Sequence, residues 1–390
     1  MKRYCKKIDL TDRNLIERAI RDCLFGRRKG KRRGKNKLGR RDTVKLLSEY
    51  SSLPEHFIKQ IIRERKYEYL NGTIETIVDG IAEEIRNRAY RVRPIWYTTK
   101  VDGSSGKIRR IGIQDIKQQL YDYIAVYALE EMLNKKIGFY QCSAIKNKGQ
   151  LMAAKAIKRW IDNPNMRYVW KADIKHFYES IDREKLMELL EKSIKNNAIL
   201  HLVRFLINTF EKGLAIGSFL SQYLANFFLS FAYHYASGLY KERRKKNGTV
   251  ERVNLVHREL FYMDDILLVG SSMKDIKMAA KRMEEFITSK LHLKLKEGSG
   301  FIDLRTGYID MMGFKISRRS FTMRSRIFLK IRHLVKLIEL HKRKGIKISS
   351  KIFAALNSLN GWVKNTWSDF FKKKYNYQYA LKAGKAVCNA

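Results

Sequence analysis

Two adjacent aspartates stand inside a segment that is otherwise apolar or aromatic, Phe261-Tyr262-Met263-Asp264-Asp265-Ile266-Leu267-Leu268-Val269-Gly270. Taking carboxylates out of water without a countercharge is expensive. The chain must therefore fold so that these acids reach the edge of a core, where cations can neutralise them. The apolar runs on either side read as the strands of a hairpin, with Met263-Asp264-Asp265 at its turn. Asp is common in surface turns, but the flanking runs hold this pair against the core. A third acid, Asp173, comes at the end of a strand-like segment, Tyr168-Val169-Trp170-Lys171-Ala172-Asp173-Ile174, and is followed by Phe177 and Tyr178. Three carboxylates from two strands can hold two metal ions about 4 Å apart, the geometry used for in-line phosphoryl transfer.

The rest of the chain is strongly basic. Its 390 residues carry 81 Lys and Arg against 39 Asp and Glu, a formal charge of +42. Such a protein repels itself and implies a polyanionic partner. Nucleic acid fits better than an anionic membrane, because the charge is spread along the chain and interleaved with Tyr and Phe. With 45% hydrophobic residues the chain can bury a sizeable core and form two or three subdomains. No segment offers the ~20 uninterrupted apolar residues of a membrane span. The N-terminal Met1-Lys2-Arg3-Tyr4-Cys5-Lys6-Lys7 lacks a following apolar region, so a cytoplasmic location without a membrane partner is expected. Cys5, Cys23, Cys142 and Cys388 have no CxxC spacing, which favours reduced structural thiols over a zinc module or disulfides.

The stretch from Gly26 to Arg41 is dense in Lys and Arg with almost nothing to bury. It reads as an arm, mobile when free, that orders on phosphates through residues such as Arg32 and Arg33. A second basic stretch, Lys241 to Gly248, reads as an exposed turn between apolar segments. Residues 42–100 have helical periodicity, including Ile74, Ile77, Val78, Ile81 and Ile85. A hairpin tip is expected at Asp102-Gly103-Ser104-Ser105-Gly106, a long helix over 115–133, a helix capped by Asp182, another over 217–239, and a basic helical region from about Ile327.

Several motifs in order, rather than one, resemble those of reverse transcriptases. Tyr262-Met263-Asp264-Asp265 is similar to the family's YxDD box, and Lys171 to Tyr178 to its first catalytic motif. The segment Gly213-Leu214-Ala215-Ile216-Gly217-Ser218-Phe219-Leu220-Ser221-Gln222 resembles the helix-opening motif of the nucleotide pocket. Leu293 to Lys296 and Ile309 to Phe314 resemble later palm motifs, Arg109-Arg110-Ile111-Gly112-Ile113 a basic fingers strand, and Ser358 to Asn365 a thumb motif. The resemblance spans roughly residues 100 to 385 and implies an α+β right-hand polymerase fold: an antiparallel palm sheet, helical and hairpin fingers, and a helical thumb. The implied division is a basic helical extension at 1–100, fingers at 101–167, palm at 168–325 and thumb at 326–390.

Carried over by residue, the family pattern implies that Asp173, Asp264, Asp265 and the carbonyl of Ile174 bind two Mg²⁺ ions, with Mn²⁺ as a substitute. It places Arg109, Arg110, Ile216, Gly217 and Gln222 at the incoming dNTP. Lys294 or Lys296 steadies the leaving pyrophosphate, although alternating Leu and Lys also describes a half-exposed strand. Tyr178 is the steric gate against a 2′-hydroxyl. Lys148, Trp362 and Lys364 contact nucleic acid, with Trp362 equally suited to packing. The implied partners are an RNA template, of the structured noncoding kind, the cDNA product and dNTPs.

One departure is informative. Many reverse transcriptases have Gln where this chain has Ile216 and Pro where it has Gln222. The variation resembles enzymes of diversity-generating retroelements, which copy a template repeat with errors at adenines; a small basic accessory protein is a further implied partner. An apolar Ile216 cannot hydrogen-bond to the nascent base pair, so geometry there is policed less strictly. A defence-associated reverse transcriptase using a noncoding RNA is the alternative. A non-catalytic RNA-binding scaffold, or a palm-type nucleotide cyclase, accounts for less of the pattern.

Overall fold

A computed structural model describes the chain apart from Met1, Gly30, Lys31, Lys35, Gly103, Ser104, Ser105, Lys107 and Ala390; the side chains of residues 28–33 and 384–389 are also outside the described part. Helix α1 (Arg13–Phe25) starts where the Asp12 carboxylate accepts from Asn14 N–H, and it buries Ile16, Ala19, Ile20, Cys23 and Leu24. A short ribbon follows, β1 (Arg28–Lys29) paired with β2 (Arg32–Arg33). Next come α2 (Arg41–Ser51), α3 (Glu55–Glu64), a 3-10 turn at Tyr67–Leu70, and α4 (Asn71–Arg86). These helices share one continuous core with the elements that carry the acids.

The basic arm differs from the mobile segment expected of it. Leu38 is fully buried, and Lys37 Nζ donates to Gln119 Oε1 at 2.8 Å. Arg27 donates to the Tyr223 hydroxyl at 3.1 Å and lies over the Phe219 ring. Long basic side chains bury their stems while keeping the charge solvated or paired, so a charge count understates what they can pack. Only the middle of the arm, with the side chains of Arg32 and Arg33, falls outside the described residues.

Strands β3 (Trp96–Val101) and β4 (Ile108–Ile113) form the hairpin expected there, with most of its tip outside the described residues. The helix expected over 115–133 is two, α5 (Ile116–Ala128) and α6 (Glu130–Lys136). They part at Leu129, whose N–H is shared between the carbonyls of Ala125 and Tyr127. Helix α7 (Gln150–Ile161) leads to β5 (Tyr168–Asp173), the single turn α8 (Phe177–Ser180), and α9 (Arg183–Ser193). Asp182 caps α9 by accepting from Glu184 and Lys185 N–H, as its position implies. Helices α10 (Asn197–Asn208) and α11 (Phe219–Ser237) complete this half.

The stretch read as a plain turn is a protruding hairpin, β6 (Tyr240–Arg244) with β7 (Val250–Asn254). It leads into β8 (Arg258–Tyr262), β9 (Asp265–Gly270) and α12 (Met273–Leu291). With β10 (Gly300–Asp303) these form a four-stranded antiparallel sheet in the order β10-β5-β9-β8. Along β9 the side chains alternate: Ile266 and Leu268 enter the large core, whereas Leu267 and Val269 join a second core with Trp160, Met311 and Phe314. The sheet is buried on both faces, which is why its strand reads as an unbroken apolar run.

A small sheet, β11 (Ile309–Met311), β12 (Phe314–Ile316) and β13 (Phe321–Met323), borders that second core. The chain ends in α13 (Ser325–Arg343), α14 (Ser350–Lys364), α15 (Asp369–Lys374) and α16 (Tyr377–Asn389). These four have a core of their own, including Ile331, Val335, Leu356 and Phe371. Among the described residues, no helix is long and apolar enough to cross a membrane.

Candidate active site

Strands β8 and β9 are joined by a two-residue turn, Met263-Asp264, and Met263 takes a positive φ of 51°. Asp265 is the first residue of β9 and lies directly opposite Asp173, the last residue of β5. Residues opposite each other on antiparallel strands project to the same face, so the two carboxylates share one side of the sheet. Asp264 is tied to the same strand end by its carbonyl, which accepts from Ile174 N–H at 3.0 Å. Burial holds the Asp264 carboxyl above its usual range, and the charge of Asp173 adds to this. Asp265 is pushed up to about 6, chiefly by burial; Lys171 opposes the rise, while Asp264 and Asp173 reinforce it.

Two lysines answer these acids. Lys171 Nζ is 3.8 Å from Asp265 Oδ1, and Lys296 Nζ forms an ion pair with Asp173. The backbone of Lys296 also donates to the Asp173 carbonyl at 2.7 Å. Leu293 to Lys296 form no strand, only an isolated bridge between Leu295 and Ile174. That bridge delivers Lys296 to the acids and leaves Lys294 exposed, so of the two candidate lysines the fold brings Lys296 to the site.

The turn is held from both sides. The Tyr178 hydroxyl donates to Met263 Sδ at 3.6 Å, and its phenol is pushed upward by burial and by the Asp264 charge. On the other side Asn226 Nδ2 reaches Met263 Sδ at 3.7 Å while bonding the carbonyls of Ser143 and Gln222. Asn226 is buried in the middle of α11, among Phe227, Phe228 and Leu229. A carboxamide within a run of buried apolar and aromatic residues, larger and more costly to leave unpaired than the buried Ser221 and Ser230 of the same helix, was the signal that could have singled it out.

The segment carrying Ile216 and Gly217 is pinned to three elements. Gly112 N–H of β4 donates to the Ile216 carbonyl at 2.8 Å, and Leu214 N–H to the Tyr178 carbonyl at 2.8 Å. Gly217 has φ +114°, and a Cβ there would sit 2.6 Å from the Gly112 carbonyl oxygen, so both conformation and space demand glycine. Ser218 caps α11 by accepting from Ser221 N–H, and its hydroxyl donates to the buried carboxylate of Asp122 at 2.7 Å. Arg110 makes a two-pronged pair with Glu211 at 3.1 and 2.6 Å and lies over the Tyr97 ring, while the Tyr97 hydroxyl accepts from Glu211 N–H.

This sorts the two arginines. Successive residues of a strand face opposite ways, so Arg109 and Arg110 diverge. The Arg109 charge is the one felt by Asp264 and Tyr178; it also approaches Asp102 at 3.4 Å. Arg110 pairs with Glu211 instead.

Across residues 99–298, just over half of the 390, the sequence matches the family model described as "Reverse transcriptase (RNA-dependent DNA polymerase)". The chain belongs to the reverse transcriptase family. Its architecture is accordingly the right-hand polymerase fold, with the β10-β5-β9-β8 sheet as the palm. Among solved structures, telomerase from Candida albicans with a fragment of telomeric RNA is similar at 12% identity and TM-score 0.45, over 76% of this chain and 62% of that one. Telomerase from Candida tropicalis gives 13% and 0.44, over 77% and 59%. The chain thus spans less than two thirds of either telomerase chain. No curated protein matches its sequence.

The remaining candidates make none of the contacts to the acids described above, although Gln222 is linked to the acid-bearing turn through Asn226. Trp362 packs on Phe314, ring centroids 4.6 Å apart, and closes on Gly313, joining α14 to the small sheet. Lys364 is exposed near it. Lys148 donates to the Gly138 carbonyl at 3.1 Å and lies over the Phe139 ring. Gln222 is half-buried in the first turn of α11.

The acids suit hard divalent cations. Carboxylate oxygens are the right donors, and buried, mutually opposed charges are what a dication relieves. Among the described residues no three His, Cys, Asp or Glu side chains close into a metal cage. Mg²⁺ is commonly bound by one or two carboxylates plus substrate phosphates and water instead, and the open strand ends at Asp173 and Asp265 leave that arrangement available.

Proposed function

We propose that the chain is an RNA-directed DNA polymerase that copies an RNA template into cDNA. The observation that carries this is the placement of Asp173 opposite Asp265, with Asp264 on the adjoining turn, in a reverse transcriptase palm. Asp173, Asp264, Asp265 and the Ile174 carbonyl would hold Mg²⁺, with Mn²⁺ as a substitute. The ions would supply a lowered pKa at the primer 3′-hydroxyl and charge neutralisation at the triphosphate.

The chain's own residues do the rest. Tyr178, held at Met263 beside Asp264, presents a ring where the incoming sugar must lie and excludes a 2′-hydroxyl. Arg109 offers a planar guanidinium to the triphosphate. Lys296 holds Asp173 until substrate arrives and is then placed to steady the leaving pyrophosphate. The Ile216 side chain offers no hydrogen bond to the base pair, while its backbone is fixed to β4.

Ile216 and Gln222 support a narrower reading, the error-prone reverse transcriptase of a diversity-generating retroelement acting with a small basic accessory protein. Incorporation of dNTPs on a primed RNA template with Mg²⁺, and its loss on chelation, tests the polymerase. The gene neighbourhood tests the role. A template repeat beside a variable gene supports the retroelement, whereas a structured noncoding RNA alone favours antiphage defence.

A further inference from the structure

The β6-β7 hairpin has no part in the site above. It joins the palm at the Arg258 end of β8, whereas the catalytic turn follows the other end at Tyr262. Four residue steps of strand, roughly 13 Å, separate the two ends. The hairpin is firmly rooted. Lys241 Nζ pairs with Asp275 Oδ1 at 2.5 Å, Arg282 donates to the Tyr240 carbonyl at 2.9 Å, and Arg252 lies 4.6 Å over the Tyr240 ring.

Beyond the root, residues 242–250 are all exposed. A two-stranded ribbon with nothing packed on it is only marginally stable, so its own burial does not explain it. Between Tyr240 and Asn254 six basic side chains stand against Glu242 and Glu251. Arg243 and Lys245 share Glu251, at 3.1 and 3.4 Å. Among the described residues, Arg244 and Lys246 have no acidic partner. Helix α12 continues the charge: Lys274, Lys277 and Lys281 are exposed at i, i+3 and i+7, on one helix face.

We propose that the β6-β7 ribbon and the α12 lysine stripe form a second nucleic-acid site, which grips the phosphate backbone of a folded RNA outside the stretch being copied. This rests on the reading of the chain as an enzyme that copies RNA. Phosphate contacts of this kind fix position without reading sequence, and shape with backbone contact is how folded RNA is mostly held. A membrane is disfavoured because the exposed part of the ribbon offers Val250 as its one aliphatic side chain for insertion. Charged residues also discourage edge-to-edge pairing of sheets; that role alone requires no RNA dependence.

The test compares the full chain with the variant Arg243→Gln/Arg244→Gln/Lys245→Gln/Lys246→Gln. A control variant loses four exposed charges elsewhere, Lys45→Gln/Lys59→Gln/Arg63→Gln/Arg65→Gln. The ribbon variant should bind a folded RNA hairpin about tenfold more weakly at physiological salt, with the slope of log K against log salt reduced by roughly 2 to 4. The control variant should show less than about threefold change, and a matched DNA hairpin should lose less affinity than the RNA hairpin. Extension of a short primed RNA should stay at the wild-type rate, so a wild-type chain inactive there sinks the polymerase reading separately. Unchanged RNA affinity and salt slope in the ribbon variant would overturn the site. An equal loss for DNA, or a loss confined to anionic vesicles, would overturn its assignment to RNA.

Discussion

The buried carboxylate of Asp122, in the middle of α5, accepts a hydrogen bond from the Ser218 hydroxyl at 2.7 Å and from Leu220 N–H at 3.3 Å. It thereby fixes the start of α11 and the Ile216-Gly217 segment just before it. Burial pushes this carboxyl up to about 6 from 3.8, against the lowering effect of its donors.

The sign of the resulting pH dependence follows. An acid whose pKa is higher folded than unfolded favours the folded state most below its unfolded value. That stability is lost as pH rises from about 4 to about 6. At about 1.4 kcal/mol per unit, the loss is on the order of 3 kcal/mol. Asp265 titrates in the same direction, so the difference between proteins isolates Asp122. Denaturant unfolding at pH 4 to 7 should show a shallower decline in Asp122→Asn than in the wild type. Parallel profiles would count against a buried, ionising Asp122.

Arg110 and Glu211 should act as one latch. Both are exposed, so melting temperature should barely move on their replacement. The pair nevertheless joins β4 to the segment that carries Ile216. Arg110→Gln and Glu211→Gln should each raise the KM for dNTP by roughly three- to tenfold with little change in kcat. The double variant should be no worse than either. If Arg110 instead grips the triphosphate, its replacement will be far more damaging than that of Glu211.

Tyr178→Ala removes the ring beside Asp264. Ribonucleotide incorporation relative to deoxyribonucleotide should rise about tenfold or more in primer extension. Unchanged sugar selectivity would mean that Tyr178 serves only to hold Met263.

Ile216→Gln tests the proposed placement of that side chain at the nascent base pair, and leaves the backbone bond to Gly112 in place. Misincorporation opposite template adenine should fall, read by sequencing cDNA from both proteins. Equal error rates at adenine would remove the physical basis for an error-prone copier.

The acid-bearing hairpin was legible because its information is local. A run of apolar residues with acids at one point specifies both the strands and the turn, and β8, β9 and the Met263-Asp264 turn formed where the pattern put them. Contacts that depend on distant elements were not legible. Nothing near Lys296 in sequence distinguishes it from Lys294; an isolated bridge to Ile174 makes the difference. Likewise Arg109 and Arg110 must face opposite ways on β4, but only the packing of Glu211 and Tyr97 against Arg110 shows which of the two faces the acids. The arm from Gly26 to Arg41 misled for a related reason. Charge is visible in sequence, whereas the burial of Leu38 in the large core and the stacking of Arg27 on Phe219 of α11 depend on distant elements.

The central claim is that Asp173, Asp264 and Asp265 form the metal-dependent centre of an RNA-copying polymerase. Asp264→Asn is close to isosteric and removes the charge. On a primed RNA template with Mg²⁺ and dNTPs it should lower kcat by about 100-fold or more, with RNA affinity within about threefold of wild type. Undiminished cDNA synthesis by Asp264→Asn would contradict the account.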